Sequence, residues 1–329
     1  MTLTALRFHL YSLRLARSKR PILIGPWRSE VGFEALYWLP FLAWWRTRYQ
    51  IDPKRLIAIG RGGSGAWYEA GGIADVYDHL GVQEIRTLTL GTTLKTGSVK
   101  QQALAPWESS LCGLVAASLG IARYHVLHPS WMYRLLEPWW ADRQPLPYVH
   151  GYTRYSRLAP PPVPAGLTLP EKFIAARFYA RSTFPPGEDV LLWLQGFVER
   201  LSQVQPVVLL HSGLHYDDHA DLVKPVKGRV MAVPPEALAP NTNLATLSAI
   251  LGRAQAFVGT YGGFQQLALR MGIPSLGFFV DFQGTAMAHK TLSQVLATAS
   301  GVPFVVARPK DAEHFAGLLT DPLQPGVQS

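Results

Sequence analysis

The chain has 329 residues, of which 48% are hydrophobic and 16% are charged, a composition that predicts folded domains and excludes a disordered chain. Its formal net charge of +9 favours an anionic partner, such as a phosphorylated ligand, an anionic lipid surface or nucleic acid. Cys112 is the single cysteine, which excludes an internal disulfide and a cysteine-based metal cluster and suits a reducing compartment.

Targeting signals are not visible in the sequence. No run of about 18 apolar residues is present, as a membrane-spanning helix would need. The N-terminus lacks the apolar core and the small-residue cleavage site of a signal peptide, so we expect a cytoplasmic protein. Basic residues beyond the N-terminus are scattered, and no zinc-finger spacing or RNA-binding signature appears, so nucleic acid is not an expected partner.

Residues 1–20 predict a basic N-terminal helix without acidic residues. One helical face carries leucines and another carries Phe8, Tyr11 and Leu15. The leucines are Leu3, Leu6, Leu10 and Leu13, and the basic residues are Arg7, Arg14, Arg17, Lys19 and Arg20. The interpretations that remain open are attachment to an anionic membrane surface, docking on the protein's own body, and a basic tail.

Residues 21–157 predict an N-terminal Rossmann-like domain, because strands alternate with helices and this order implies a parallel sheet. The long aromatic helix at 30–49 is expected to bend or break at Pro40, which lacks a backbone N–H. The predicted strands are 21–25, 55–59 and 85–90, and the predicted helices are 30–49 and 101–124.

Gly60–Gly65 matches the G-x-G-x-x-G fingerprint of dinucleotide-binding loops. The fingerprint belongs after the first strand, with an acidic residue at the end of the next strand. Here it follows the second predicted strand, and Leu88–Thr92 offers no acid. We therefore expect a flexible loop that lines a cleft, with Arg61 on the substrate, rather than an NAD site.

The segment 125–155 is rich in aromatic rings. Large aromatic side chains are usually buried, which predicts that these rings pack inward. The alternative is a platform for a sugar or lipid acceptor, because rings stack against the apolar faces of sugars.

Leu158–Gly166 reads LAPPPVPAG, and a proline-rich stretch of this kind makes a stiff linker between domains. Residues 167–329 then predict a second Rossmann-like domain. Its predicted strands are 172–177, 206–210, 229–233, 256–258, 274–279 and 304–307, and its predicted helices are 189–204, 243–255, 264–271 and 311–319.

The most informative stretch of this second domain is Ala256–Phe279, where a glycine-rich turn joins a strand to a short helix. A helix that starts after such a turn directs free N–H groups and the positive end of its dipole at one spot. A diphosphate suits that spot. The alternative is an ordinary turn of a Rossmann-like domain without a ligand.

The order of helix, strand, Gly-Thr-x-Gly-Gly turn, short helix, Gly-Ile-Pro and strand resembles the donor half of GT-B glycosyltransferases, especially the bacterial heptosyltransferases. The resemblance is best over residues 205–280. It implies an α/β fold of two Rossmann-like domains facing across a cleft, with a nucleotide-sugar held by its diphosphate in the C-terminal domain. It further implies a metal-independent transferase without a cofactor, which acts on a glycan or glycolipid acceptor in cell-surface glycan biosynthesis at the inner face of the membrane.

In such enzymes the catalytic base follows the first strand of the N-terminal domain. Glu30 is our first candidate, and Glu34, one helical turn later, is the second. The heptosyltransferases carry an aspartate near this place. Ser29 is predicted as the N-cap, and the alternative for Glu30 is that it only complements the helix dipole. Arg28 and Arg61 are expected at the acceptor.

The expected donor contacts lie in the second domain. Arg177 is the strongest, because it ends a strand where open α/β sheets bind ligands and its planar fork grips phosphate. A solvated arginine is the alternative. The full set is Arg177, Arg181, His211, Ser212, Val233, Gly259, Thr260, Tyr261, Gly262, Gly263, Gln265 and Gln266, with Asp281 as a further sugar contact.

His211, His215 and His219 are spaced by four, with Asp217 and Asp218 between them. Such spacing binds a metal only on a helix, and the neighbouring glycine and Tyr-Asp-Asp run favour a loop, so we expect no metal site. Two rival functions remain open, a nucleotide-sugar epimerase on the same scaffold and a non-catalytic binding protein that kept the glycine-rich turn.

Overall fold

The computed structural model describes residues 2–69, 72–73, 75–79, 101–180, 184–185, 187–211, 221–222, 227–281 and 285–311. The chain forms two compact units. Unit 1 comprises Met1–Ala159 with Ala239–Ala245, and unit 2 comprises Pro160–Leu238 with Thr246–Ser329. The short return of the chain to unit 1 at 239–245 has no counterpart in the sequence prediction.

Unit 1 is built around a parallel sheet with the strand order β3-β2-β1-β4. Its described elements are α1 (Leu3–Arg17), β1 (Ile22–Ile24), α2 (Val31–Phe33), a π-helical segment (Glu34–Trp38), α3 (Leu39–Tyr49), β2 (Leu56–Gly60), α4 (Gly65–Glu69), β3 (Asp75–Asp78), α5 (Pro106–Ser118), β4 (His125–Leu127), α6 (Ser130–Trp140) and α7 (Leu146–His150). Leu23 and Ile59 of the central strands pack against Leu111 and Val115 of α5. The predicted parallel α/β class is thus confirmed for this unit.

The third strand differs from the prediction. The predicted strand 85–90 lies outside the described residues, and the strand that pairs with β2 is β3. β3 ends in Asp78, so an acidic residue does follow the Gly60–Gly65 loop at the end of the next strand. The predicted absence of an acid was therefore wrong, whereas the loop does follow the second strand rather than the first, as predicted.

The irregularity predicted at Pro40 is a π-helical segment directly before it. Pro40 has no N–H to donate to the carbonyl of Leu36, four residues earlier. The Tyr155 hydroxyl donates to that carbonyl instead, at 2.9 Å, and the Arg154 N–H donates to the carbonyl of Pro40. The helical path from residue 31 to residue 49 therefore continues with a local widening.

The aromatic residues of 125–155 pack largely inward. Tyr133 and Trp139 are buried, and Tyr133 stacks on Trp27 with 6.4 Å between ring centroids. Trp140 meets Phe33 edge to face at 5.3 Å. These contacts fit the packing interpretation and not an open acceptor platform.

Unit 2 contains a parallel sheet with the strand order β10-β9-β8-β5-β6-β7. Its described elements are β5 (Ile174–Arg177), α8 (Glu188–Val204), β6 (Val207–Leu209), β7 (Val230–Ala232), α9 (Asn243–Arg253), whose first residues belong to unit 1, β8 (Ala256–Thr260), α10 (Gly263–Met271), β9 (Ser275–Phe278), α11 (Ala286–Ser300) and β10 (Phe304–Ala307). Counted along the chain, this is the 3-2-1-4-5-6 order of dinucleotide-binding Rossmann domains. The core of unit 2 includes Ile174, Phe178, Val258 and Phe278.

α11 was not predicted, and most of the predicted closing helix 311–319 lies outside the described residues. Among the helices that the structure describes, none is long and apolar enough to cross a membrane.

Candidate functional site

The strand order of unit 2 creates a switch point between β5 and β8, because successive connections leave these two neighbouring strands in opposite directions. Ligands of open α/β sheets bind at the carboxyl ends of strands at such a point. Arg177, the last residue of β5, lies opposite Gly259 of β8. Gly259 is the second-last residue of that strand and the first residue of the glycine-rich turn. A Cβ on Gly259 would collide with the Arg177 carbonyl, so glycine lets the strands meet here.

The glycine-rich turn leads directly into α10, which begins at Gly263 after the N-cap Gly262. The first intrahelical bond runs from the Gln266 N–H to the Gly262 carbonyl at 3.0 Å. The N–H groups before Gln266 therefore have no partner within the helix, as at every helix start. The Tyr261 N–H donates to the Phe278 carbonyl at 2.8 Å, so it does not belong to the predicted set of anion donors. The candidate backbone donors for an anion are therefore reduced to the N–H groups at the start of α10.

The side chains of Thr260 and Tyr261 hold the turn in place. Thr260 Oγ1 accepts the Tyr179 N–H at 3.0 Å and donates to the Tyr179 carbonyl at 3.1 Å, and the residue is fully buried. The Tyr261 hydroxyl donates to the Ala286 carbonyl at 3.3 Å. Both side chains are bonded within the protein, so a contact of Thr260 or Tyr261 with the donor would have to come from the backbone.

Gln265 has a packing role that the sequence did not reveal. Its Nε2 donates to the Val305 carbonyl at 2.8 Å, and the side chain is fully buried against Gly277, where a Cβ would strike it. This contact ties α10 to β10, and a bond to a sugar hydroxyl does not fit it. Gln266 is also buried.

Arg177 is held at the start of α10. Its guanidinium carbon lies 4.5 Å from the centroid of the Phe264 ring, in a cation–π contact with the second residue of the helix. Its Nε is 3.5 Å from Asp221 Oδ1, an ion pair that is too long and poorly aligned to be a hydrogen bond. His211 interacts electrostatically with both of these residues. Burial lowers the pKa of its imidazole, Asp221 raises that pKa, and Arg177 lowers it. The solvated-arginine alternative is thus excluded.

The remaining predicted donor residues divide into two sets. Val233 is buried directly after β7. Arg181 and Ser212 lie outside the described residues, as do His215, Asp217, Asp218 and His219. In the part of the chain that the structure describes, no group of three or more His, Cys, Asp or Glu side chains could hold a metal ion.

In unit 1, Glu30 directly precedes α2 and occupies its N-cap position. Its side chain makes no capping hydrogen bond and is half-buried. Ser29 was predicted as the cap, but its hydroxyl pairs with the Tyr133 hydroxyl at 2.6 Å inside the protein. The carboxylate of Glu30 therefore stands at a helix start without a capping role.

Glu34 opens the π-helical segment and is fully buried. The Tyr68 hydroxyl donates to Glu34 Oε1 at 2.8 Å, while Oε2 is buried without a hydrogen-bond partner. Burial raises the pKa of this carboxyl to about 7, against the lowering effects of Arg61 and of the Tyr68 bond, and with a small rise from Asp78. A group with no exposed surface is not placed to touch a substrate, so the structure favours Glu30 over Glu34 as a base.

Arg28 lies in a buried polar network rather than on an open surface. Its Nε is 2.9 Å from Glu108 Oε1, and its side chain is 7% exposed. Glu108 also accepts from Gln101 at 2.9 Å and lies 3.4 Å from His128. Its pKa is lowered, because the pairing with His128, Arg28 and a backbone N–H outweighs burial, although burial is the largest single cause. The charge of Arg28 is therefore compensated inside unit 1, which weakens its prediction as an acceptor ligand.

Arg61 leads the loop after β2 and bonds to the carbonyl of Ser29, so it links this loop to the one that carries Glu30. Gly62 and Gly63 have positive φ values of 64° and 77°, which L-residues rarely adopt. The Gly63 N–H donates to Asp78 Oδ2 at 2.6 Å. Because a backbone N–H of the fingerprint loop is bound by the protein's own carboxylate, this loop does not offer that group to a dinucleotide phosphate.

Comparisons with known proteins found no matching family model and no matching curated protein. Several solved structures are similar. A glycosyl transferase family 9 protein from Veillonella parvula DSM 2008 has 13% identity and a TM-score of 0.45, covering 94% of this chain and 91% of that one. The Escherichia coli ADP-heptose lps heptosyltransferase II has 12% identity and a TM-score of 0.41, covering 79% and 84%.

The glycosyltransferase SnogD from Streptomyces nogalater has 17% identity and a TM-score of 0.39, covering 92% of this chain and 91% of that one. These proteins are of the kind that the sequence pattern resembles.

Proposed function

We propose that the protein transfers a sugar from a nucleotide-sugar to a hydroxyl acceptor, and that unit 2 binds the donor by its diphosphate. The observation that carries the proposal is the position of Arg177, whose guanidinium is held on Phe264 at the N-terminus of α10. A fixed cation, free N–H groups and the positive end of a helix dipole then meet at the switch point of a 3-2-1-4-5-6 sheet.

These groups suit a leaving group that gains negative charge. In the proposed step, the acceptor oxygen forms a bond to the anomeric carbon while the bond from that carbon to the phosphate oxygen breaks. The electron pair leaves with the nucleoside diphosphate, where the α10 N–H groups and Arg177 stabilise it. The proposed displacement needs neither a metal ion nor another cofactor.

The proton of the acceptor hydroxyl goes to the Glu30 carboxylate in this proposal. Glu30 is half-buried and without a capping bond, whereas Glu34 is sealed behind Tyr68. A positioned general base typically contributes about 10²–10⁴-fold to such a rate. Arg61, which is hydrogen-bonded to the carbonyl of Ser29, is the proposed contact with the acceptor. Arg28 is proposed to support the acceptor site through its buried ion pair with Glu108.

The acceptor is proposed to be a glycan or glycolipid of the cell surface, modified in the cytoplasm at the inner face of the membrane. The setting follows from the family resemblance of the sequence and from the net charge of +9, which favours anionic ligands.

Isothermal titration with UDP, ADP, GDP and CDP, and with the matching monophosphates, tests donor binding. We expect one diphosphate to bind at least about tenfold more tightly than its monophosphate, because the second phosphate adds charge-assisted hydrogen bonds. Arg177→Ala should weaken this binding by about 10–100-fold. Arg200→Ala, an exposed arginine on α8, is the matched control and should leave it unchanged. If no diphosphate binds, the proposal is refuted.

Turnover separates the rival functions. With a labelled nucleotide-sugar and membranes from the source organism as the acceptor source, Glu30→Gln should abolish release of the nucleoside diphosphate and keep donor binding. An epimerase would convert the nucleotide-sugar without any acceptor. A binding protein would show binding without turnover in the unmodified chain.

A further inference from the structure

α1 is fixed to unit 1 by one face. Phe8, Ser12 and Leu15 of that face are buried, and Phe8 lies 5.5 Å from Phe41 and 5.3 Å from Trp131 between ring centroids. The Trp45 indole donates to Ser12 Oγ at 3.1 Å. This face of α1 therefore docks on the body of unit 1.

The opposite face of α1 is apolar and basic at the same time. Leu3, Leu6 and Leu10 are 63%, 38% and 58% exposed, although leucine is usually buried. Exposed residues recur at the spacing of one helical stripe: Leu3, Leu6, Arg7, Leu10, Arg14 and Arg17. The stripe continues past the helix into exposed Lys19 and Arg20, and the first acidic residue of the chain is Glu30.

The two kinds of side chain are ordered along the helix. The exposed leucines lie in the N-terminal half of the helix, where Arg7 is the single arginine or lysine, and Arg14 and Arg17 lie in its last turn. Arg134 of α6 adds a cation beside α1, because its guanidinium lies 4.5 Å from the ring of Trp131, on which Tyr11 stacks at 5.5 Å. A surface with an apolar strip and a cationic border, free of acidic residues along α1, is complementary to the anionic headgroups and the acyl boundary of a lipid bilayer.

We infer that the exposed stripe of α1, Leu3 to Arg17, is a membrane-docking surface for anionic lipid, with the leucines entering the headgroup boundary and the arginines on the phosphates. The helix does not need to fold or to detach for this role, because its other face holds it on unit 1. Docking by a preformed helix avoids the entropic cost of ordering a free segment. The stripe belongs to unit 1 and the proposed donor site to unit 2, so loss of lipid binding in a stripe variant should leave nucleotide binding intact.

Sedimentation of the full chain with lipid vesicles tests this surface. We expect binding to phosphatidylcholine vesicles that contain about 30% phosphatidylglycerol and much weaker binding to pure phosphatidylcholine, because each basic residue near an anionic surface strengthens binding about fivefold. Binding should fall between about 0.1 M and about 0.5 M salt as screening shortens the reach of the charges. Equal binding to both vesicles, or to neither, would overturn the inference.

Two sets of variants locate the surface. Arg14→Gln with Arg17→Gln should weaken vesicle binding by about 25-fold, at roughly fivefold for each charge. Leu3→Ser with Leu6→Ser and Leu10→Ser should weaken it by at least about tenfold, since the apolar area no longer leaves water. Because these positions are exposed, the variants should melt at the temperature of the unmodified chain.

The controls carry the same chemical changes elsewhere. Leu191→Ser with Leu192→Ser alters exposed leucines of α8, and Lys172→Gln with Arg200→Gln removes two exposed charges of unit 2. Both should bind vesicles like the unmodified chain. Sedimentation velocity tests the other occupant, a second copy of the chain. A dimer that the leucine variants convert to a monomer, without any vesicle binding, would assign the stripe to self-association and overturn the inference.

Discussion

The buried carboxyl of Glu34 makes a quantitative prediction about stability. Its pKa of about 7 lies above the ordinary value of 4.5, so between these pH values the folded chain binds more protons than the unfolded chain. The free energy of unfolding therefore falls as the pH rises through this window. The contribution of Glu34 is complete below about pH 4.5 and is lost above about pH 7, and its size is roughly 3 kcal/mol at about 1.4 kcal/mol per pH unit.

Glu34→Gln removes this titration and keeps an oxygen to accept the Tyr68 hydroxyl. We expect the difference in unfolding free energy between the unmodified chain and this variant to change by about 2.5 kcal/mol from pH 5 to pH 8, in favour of the variant at high pH. Taking the difference removes the opposite effect of buried histidines such as His79, whose pKa burial lowers to about 4.

Urea unfolding followed by tryptophan fluorescence measures this difference. Trp193 is the single tryptophan outside unit 1, so the signal reports mainly on the unit that contains Glu34. Glu30→Gln, the same change one helical turn earlier at a half-buried site, is the matched control. Parallel pH profiles for the Glu34→Gln variant and the unmodified chain would show that Glu34 is ionised in the folded protein and would refute the reasoning.

Three further substitutions test individual contacts within unit 1 or within unit 2. Asp221→Asn should tighten diphosphate binding severalfold in isothermal titration, since it removes a carboxylate that competes for Arg177, the arginine that we propose binds phosphate; weaker binding would contradict this. Glu108→Gln should lower the urea unfolding free energy by roughly 3–5 kcal/mol, because it leaves a buried guanidinium without its counter-charge; a loss below about 1 kcal/mol would argue against a buried pair. Gly277→Ala should cost about 1–3 kcal/mol because its Cβ strikes Gln265, whereas Gly113→Ala in α5, where a Cβ meets only a distant hydroxyl, should not destabilise.

The inner strands of the unit 2 sheet were predictable because they are buried and therefore appear as apolar runs. The edge strand Phe304–Ala307 is only partly buried, but it is also apolar and was predicted at its observed bounds. β3 was missed because its sequence, Asp-Val-Tyr-Asp, has the low strand propensity of aspartate at both ends, and pairing with β2 overrides it. β4 has only three residues, too few to show a period.

The site was predictable where backbone geometry decides and unpredictable where partners distant in sequence decide. The turn at Gly259–Gly263 follows from its glycines and the helix after it. The backbone N–H of Tyr261 is not available to an anion, because it is bonded to the carbonyl of Phe278 on another strand. Arg28 was expected at a ligand because nothing near it in sequence shows Glu108, 80 residues away, as its counter-ion.

The proposed role of Arg177 in ligand binding depends on how its cation is held at the switch point of the unit 2 sheet. The Phe264 ring and the Asp221 carboxylate hold an arginine side chain that is 13% exposed, and the distance from Arg177 Nε to Asp221 Oδ1 is 3.5 Å. A pair kept for stability gains most from short, aligned hydrogen bonds, and the contact between Arg177 Nε and Asp221 Oδ1 is not one. A diphosphate carries more charge than one carboxylate and reaches the N–H groups of α10 as well, so it would bind this cation better than Asp221 does.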